Sequence, residues 1–170
     1  MVIRPAEPSD AIAVATVHVR SWQAAYRALL PTDYLDQLRP EDRAEQYDFS
    51  SLDPLKPQTV VAVEEGLVLG FATTAPSRDP DLADHGELCA LYVDPKEWGR
   101  GVGAALVSAA CTRLVERGFR KALLWVLVGN LQADRFYRKH QWVPDGHQRV
   151  DTVWGVTVDE VRYRRELREP

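Results

Sequence analysis

The chain has 170 residues, 45% hydrophobic and 27% charged, which is enough apolar mass for the core of one compact domain over 1–170. A formal net charge of -4 and an isoelectric point near 5.6 give no general electrostatic reason to bind nucleic acid or an anionic membrane, so small-molecule chemistry is expected. The N-terminal MVIRPAEPSD has no signal-like apolar region, and no run approaches the roughly 20 apolar residues that span a bilayer, so a cytoplasmic protein is expected. Cys89 and Cys111 both lie in apolar contexts without ligand spacing, which predicts reduced core cysteines and no metal.

Val2 to Arg4 reads as a first strand, and Pro8-Ser9-Asp10 supplies capping chemistry for a long helix. Ile12, Ala15, Val19, Trp22, Tyr26 and Leu29 follow helical spacing, and Pro31-Thr32 restarts the chain for a second helical segment through Asp48. Thr59 to Val63 and Leu67 to Thr74, separated by Glu64-Glu65-Gly66, predict an antiparallel hairpin. Ser77 to Asp84 is rich in Pro and Asp and is expected to be an exposed, mobile loop with the character of a lid.

A strand over Glu87 to Val93 stops at Asp94-Pro95, and Gly99, Gly101 and Gly103 lead into a helix whose apolar face is Val107, Ala110, Cys111 and Leu114. Glycines at that spacing let the backbone turn tightly and aim N–H groups at one anion beside the unpaired donors of the first helical turn. Lys121 to Val128 is a continuous apolar run, read as a strand buried on both faces, and a helix follows Gly129-Asn130 through Lys139. Gln141 to Val143 and Val153 to Arg164 are expected strands separated by the polar stretch Pro144 to Asp151, giving a mixed α/β order.

These residues resemble the GCN5-related N-acetyltransferase (GNAT) superfamily over nearly the whole chain. In that family an R/Q-x-x-G-x-G/A turn between strand and helix holds the acetyl-CoA pyrophosphate, and Trp98-Gly99-Arg100-Gly101-Val102-Gly103, continuing to Ala104, is the corresponding segment. Trp98 departs from the Arg or Gln of the pattern; Arg100 either offers a guanidinium to phosphate or is a solvated turn arginine. Asn130-Leu131-Gln132-Ala133-Asp134-Arg135-Phe136-Tyr137 is similar to the family's N-x-x-A-x-x-F-Y signature, and helical spacing independently puts Asn130, Ala133 and Tyr137 on one face. The resemblance implies a GNAT-like acyl-CoA N-acyltransferase fold, α/β with a mixed, mostly antiparallel central sheet flanked by helices.

It also implies acetyl transfer from acetyl-CoA to a primary amine by direct attack in a ternary complex. Strand residues Leu91, Tyr92 and Val93 would face the cofactor, with the amides of Leu91 and Val93 holding the acetyl oxygen and the pantetheine arm. Tyr137 fits the acid, because a phenol of pKa about 10 can protonate a thiolate whose conjugate acid lies near 8.5. Glu87 is the candidate base, with His85 or water as alternatives. Trp22, Tyr26, Tyr34 and Trp154 are candidates to wall an acceptor pocket, although Trp22 and Tyr26 at helical spacing read more readily as core, and Asp151, Asp159 or Glu160 would attract an amine.

Other readings fare less well. Gly99, Gly101 and Ala104 formally satisfy a dinucleotide-binding pattern, but the next strand ends in Gly129-Asn130 without the acidic residue that holds a ribose. No G-K-[ST] or G-x-S-x-G motif occurs. A catalytically inactive acyl-CoA-binding sensor remains the alternative function, and a homodimer through exposed strands or helices stays open.

Overall fold

In the computed structural model, which describes residues 1–168, seven strands of the described residues form one sheet in the order β1-β2-β3-β4-β5-β7-β6. The strands are β1 (Val2–Pro5), β2 (Gln58–Glu64), β3 (Leu67–Pro76), β4 (Gly86–Val93), β5 (Lys121–Leu127), β6 (Val143–Val153) and β7 (Val156–Glu166). The helices are α1 (Ala11–Ala25), α2 (Thr32–Asp36), α3 (Pro40–Ala44), α4 (Val102–Glu116) and α5 (Leu131–Lys139). Every neighbouring pair is antiparallel except β4 and β5. This is the mixed, mostly antiparallel α/β sheet that the sequence predicts. Among the described residues, no helix is long and apolar enough to cross a membrane.

Strand alternation builds two cores. Val60 and Ala62 of β2 join Leu106, Val107, Ala110 and Leu114 of α4 on one face, while Val61 between them joins Phe71 and the α1 residues Val14 and Val17 on the other. Both hairpins have two central residues at positive φ, Glu65 and Gly66 at 50° and 80°, and Trp154 and Gly155 at 51° and 77°. That is the signature of the type I′ turn, whose twist matches the flanking strands. Trp154 is kept in this unusual conformation by its ring contact with Trp22, at 5.1 Å between centroids, and by the Tyr34 hydroxyl, which donates to its carbonyl.

Four expectations are corrected. The segment expected as one helix through Asp48 is two short helices, because Pro40 forces Arg39 into an extended conformation (φ −121°, ψ 130°) that ends the first run. The polar stretch Pro144 to Asp151 is not a connection but most of β6, an edge strand whose solvated face hides its strand character from hydrophobic patterning. Gln141 and Trp142 precede that strand: Gln141 turns at φ 68° and Trp142 is buried. The Ser77 to Asp84 loop is pinned rather than mobile. Buried Arg162 of β7 reaches Asp79 at 3.0 Å, Asp81 at 2.7 Å and, from the next strand, Asp145 at 2.8 Å. Partners some eighty positions apart in sequence leave no local signal of this anchoring.

Arg162→Ala would take from the buried carboxylates of Asp79 and Asp145 their nearest cation, and a loss of about 3 kcal/mol is expected in urea unfolding. The Arg162 guanidinium holds the Asp81 carboxyl down at about 2 from its ordinary 3.8, so this pairing stabilises fully above pH 3.8 and fades as pH falls towards 2. A stability that stays flat across that acid interval in wild type would contradict the pairing.

Candidate active site

The site begins where two parallel strands part. β4 and β5 pair at Gly86↔Ala122 and Glu87↔Leu123, and among the described residues the pairing goes no further, although both strands continue. Gly86 permits the junction, since a Cβ there would lie 2.6 Å from Leu114 of α4. Just beyond it, β4 carries a bulge: Thr73 and Thr74 of β3 oppose Ala90 and Leu88, so Cys89 is the extra residue. The far end of β4 is held by α1. Ser21 Oγ donates to the Val93 carbonyl at 2.8 Å and Arg20 pairs with Asp94 at 2.9 Å. The Asp94 amide donates to Leu69 on the β3 side, so alternation along the strand turns the N–H groups of Val93 and Leu91 the other way, into the gap.

One cavity of about 530 Å³ fills this gap and runs from Gly99, Gly101 and Gly103 past Leu91 and Val93 to Tyr137, Glu87 and Glu160. At its glycine end, Gly99 and Gly101 have φ of 80° and 84°, a conformation that L side chains rarely adopt, with open space where a Cβ would stand. Gly101 caps α4 without a side-chain bond, and the first helical bond is donated by Ala105 to Gly101. The amides of Val102, Gly103 and Ala104 therefore have no partner within the helix, and these residues line the cavity. Gly103 serves packing instead: a Cβ there would sit 3.2 Å from the Phe136 ring of α5.

Trp98 lines the cavity and Arg100 does not. The Trp98 indole folds back and donates to the Val93 carbonyl at 2.9 Å while its ring lines the cavity. Arg100 is turned away from the cavity towards Glu64 and Glu97, so the structure does not bring its guanidinium to the glycine cradle.

Along the wall, Asn130 accepts from the Ala133 amide at 3.1 Å and thus caps α5 while lining the cavity. Tyr137, two turns on, is buried where it lines the cavity, and burial, with Tyr92 as a lesser cause, raises its hydroxyl well above the ordinary phenol value of 10.0. Tyr92 also lines the cavity, stacked on buried His18 at 4.6 Å between centroids. Trp22 and Tyr26 prove to be both core and wall: they are buried, yet they bound the cavity.

At the end next to the β4–β5 pairing, Glu87 is 3% exposed, with Oε1 3.4 Å from Arg78 and Oε2 without a hydrogen-bond partner among the described residues. Trp125 forms the adjoining wall, its indole donating to Asp79 at 3.2 Å and its face covered by Arg149 at 4.2 Å. Arg149 is neutralised by Glu160 at 3.0 Å and Asp151 at 3.3 Å. Burial raises the Glu160 carboxyl, against the lowering effect of Arg149. His85 is elsewhere: it is buried against Asp84 and borders a separate groove with Lys121 and Arg164. Cys89 is not a core residue as expected; the bulge opens it to the cavity, where desolvation and then Glu87 push its thiol up to about 12.

A parallel strand pair that splays beside a helix N-terminus reached through a glycine turn is the feature on which known proteins can be compared. The Acetyltransferase (GNAT) family matches residues 21–142. The chain belongs to the GNAT acetyltransferase family. It is 32% identical over 130 residues to an uncharacterized N-acetyltransferase of Bacillus subtilis, covering 76% of this chain and 73% of that protein. Among solved structures it is similar to a GCN5-related N-acetyltransferase from Rhodopseudomonas palustris, with a TM-score of 0.76, 20% identity and coverage of 98% and 95%. It is also similar to an acetyltransferase of Salmonella typhimurium solved with its cofactor acetyl-CoA, with a TM-score of 0.72, 19% identity and coverage of 100% and 95%. Both structural likenesses concern the fold.

Sequence reasoning missed Ser21, Arg78, Trp125 and Arg149. Ser21 meets Val93 and Trp125 meets Asp79 across long stretches of chain, while Arg78 and Arg149 sit in polar segments whose charges read as solvated. Asn130→Ala is expected to cost about 1 kcal/mol of stability through the lost cap of α5. An unchanged urea midpoint would show that the side chain does not cap this helix.

Proposed function

We propose that the cavity binds acetyl-CoA and a primary amine together and transfers the acetyl group by direct attack. The observation that carries this reading is the continuity of one cavity from the glycine cradle at α4 to Tyr137 and Glu87. A diphosphate suits the cradle, where the amides of Val102, Gly103 and Ala104 and the positive end of a helix of 15 residues converge. Gly99 and Gly101 keep that approach clear of side chains, and Trp98 contributes its ring and the backbone beside it. The family pattern's charged first position is thereby replaced by main-chain donors. The pantetheine arm then lies along β4, where the Leu91 and Val93 amides face the gap, and the thioester oxygen accepts from one of them.

The acceptor enters from the Glu87 end. An alkylammonium must lose a proton before its nitrogen can attack, and the unpartnered Oε2 of Glu87 is placed to accept it, directly or through one water. His85, the other candidate base, borders a different groove. Attack forms the C–N bond and a tetrahedral adduct; as that adduct re-forms its C=O the C–S bond breaks, Tyr137 gives its proton to the departing sulfur, and the proton lost from the new amide nitrogen leaves to solvent, from which Tyr137 is reprotonated. The raised pKa of Tyr137 keeps that proton in place through the neutral and alkaline range. A thiol pushed up to about 12 makes Cys89 a poor nucleophile, which favours attack in the ternary complex over an acetyl-cysteine intermediate.

In a thiol-release assay with acetyl-CoA and an amine panel, Tyr137→Phe is expected to lower kcat by roughly a hundredfold with little change in acetyl-CoA affinity. Wild-type kcat should show no alkaline decline from this group at pH 10, the ordinary value for a phenol. Equal losses in kcat and affinity would make Tyr137 a binding residue. Tight acetyl-CoA binding without thiol release for any amine would favour a catalytically inactive sensor.

A further inference from the structure

The acceptor end of the cavity holds charges of both signs, but they are not equally engaged. Arg149 is surrounded by Glu160 at 3.0 Å, Asp151 at 3.3 Å and Asp79 at 3.8 Å, and its plane lies on Trp125. That guanidinium is a structural cation with its anions in place. Arg78 differs: its side chain is 74% exposed, it lines the cavity, and its ion pair with Glu87 spans 3.4 Å. Opposite it, Glu87 is almost fully buried with Oε2 lacking any partner among the described residues. A buried carboxylate oxygen with no donor is costly, and a loosely engaged guanidinium nearby leaves donors to spare.

We propose that the acceptor is an α-amino acid, its carboxylate bound by Arg78 and its amine delivered to Glu87, which makes Arg78 a specificity-determining residue. This rests on the amine-acetylation reading above and narrows it. The long contact between Arg78 and Glu87 is opened by a ligand carrying the complementary pair: the ammonium supplies the donor that Oε2 lacks, and the carboxylate takes the guanidinium in its planar, two-pronged geometry. Because the two protein charges are near neighbours, the ligand's charges must be near neighbours too, as they are when both groups sit on one carbon. A simple alkylamine would satisfy Glu87 but draw it away from Arg78 and leave that guanidinium without its anion. Trp22, Tyr26 and Trp125 provide apolar and aromatic surface for the amino-acid side chain.

The test is calorimetric titration of the protein saturated with CoA, so that no turnover is needed. L-phenylalanine is compared with phenethylamine, and L-leucine with isopentylamine, each pair differing only in the carboxylate. The amino acids are expected to bind at least roughly tenfold more tightly, as for a charge-assisted hydrogen-bonded pair. Arg78→Gln should erase the difference, and Arg78→Lys should restore part of it. Equal or tighter binding of the decarboxylated amines, no binding of either class, or a preference that survives Arg78→Gln would each overturn the assignment. Thiol release from acetyl-CoA with the same amines reports separately on the acetylation reading, which stands if amines are acetylated without any preference for a carboxylate.

Discussion

Two register pairs, Gly86↔Ala122 and Glu87↔Leu123, join β4 to β5, and the position of that short parallel junction decides where everything else can sit. A strand that leaves its neighbour exposes a row of amides and carbonyls, a costly arrangement inside a protein unless other groups answer them. The chain answers selectively. The Val93 carbonyl receives both Ser21 and the Trp98 indole, whereas the amides on the same edge look into the cavity. The parted strands thus form a donor-rich slot that runs from the paired junction beside Glu87 to the glycine turn.

The rest of the fold supports the two lips of that slot. α4 packs its Leu106 and Leu114 under the sheet and is brought close to β4 at Gly86, which fixes its N-terminus at the mouth. α1 lies on the opposite face, and its Arg20 and Ser21 grip the end of β4. On the β5 side, the Trp125 ring has Arg149 at 4.2 Å and Arg162 at 5.6 Å, and the Asp79 carboxylate accepts from its indole. Burying this many charges contributes little net stability, because desolvation offsets most of the attraction. Their effect is positional: they anchor the loop before β4 and hold a flat aromatic wall beside Glu87.

Much of this was legible in the sequence because the informative signals are local. The glycine spacing from Gly99 to Gly103 announces a tight approach to a helix start, and Asn130 to Tyr137 places a cap and a phenol on one helical face. Strand-like runs on either side of Glu64-Glu65-Gly66 located β2 and β3, and a continuous apolar run located β5, for the same reason. What escaped depends on partners far apart in the chain. Nothing near Asp79 reveals Arg162, and nothing near Trp125 reveals that its indole will meet Asp79. The bulge in β4 turns Cys89, which sits in an apolar run, out of the core and into the cavity. Edge strand β6 was hidden because a strand solvated on one side carries a polar sequence. Arg100 shows the converse, since its place in a phosphate-binding pattern did not foretell that Glu64 and Glu97 would hold it.

The central claim is that the slot between β4 and β5 receives acetyl-CoA with its diphosphate at the α4 N-terminus. The most direct measurement is calorimetric titration of the protein with acetyl-CoA and CoA, with NAD as the control for a generic dinucleotide site, repeated on Gly101→Val. The account predicts saturable binding of both CoA species by the wild-type protein, none of NAD, and a large loss of CoA affinity in a variant that remains folded by circular dichroism. Wild-type protein that binds neither CoA species, or that prefers NAD, would contradict it.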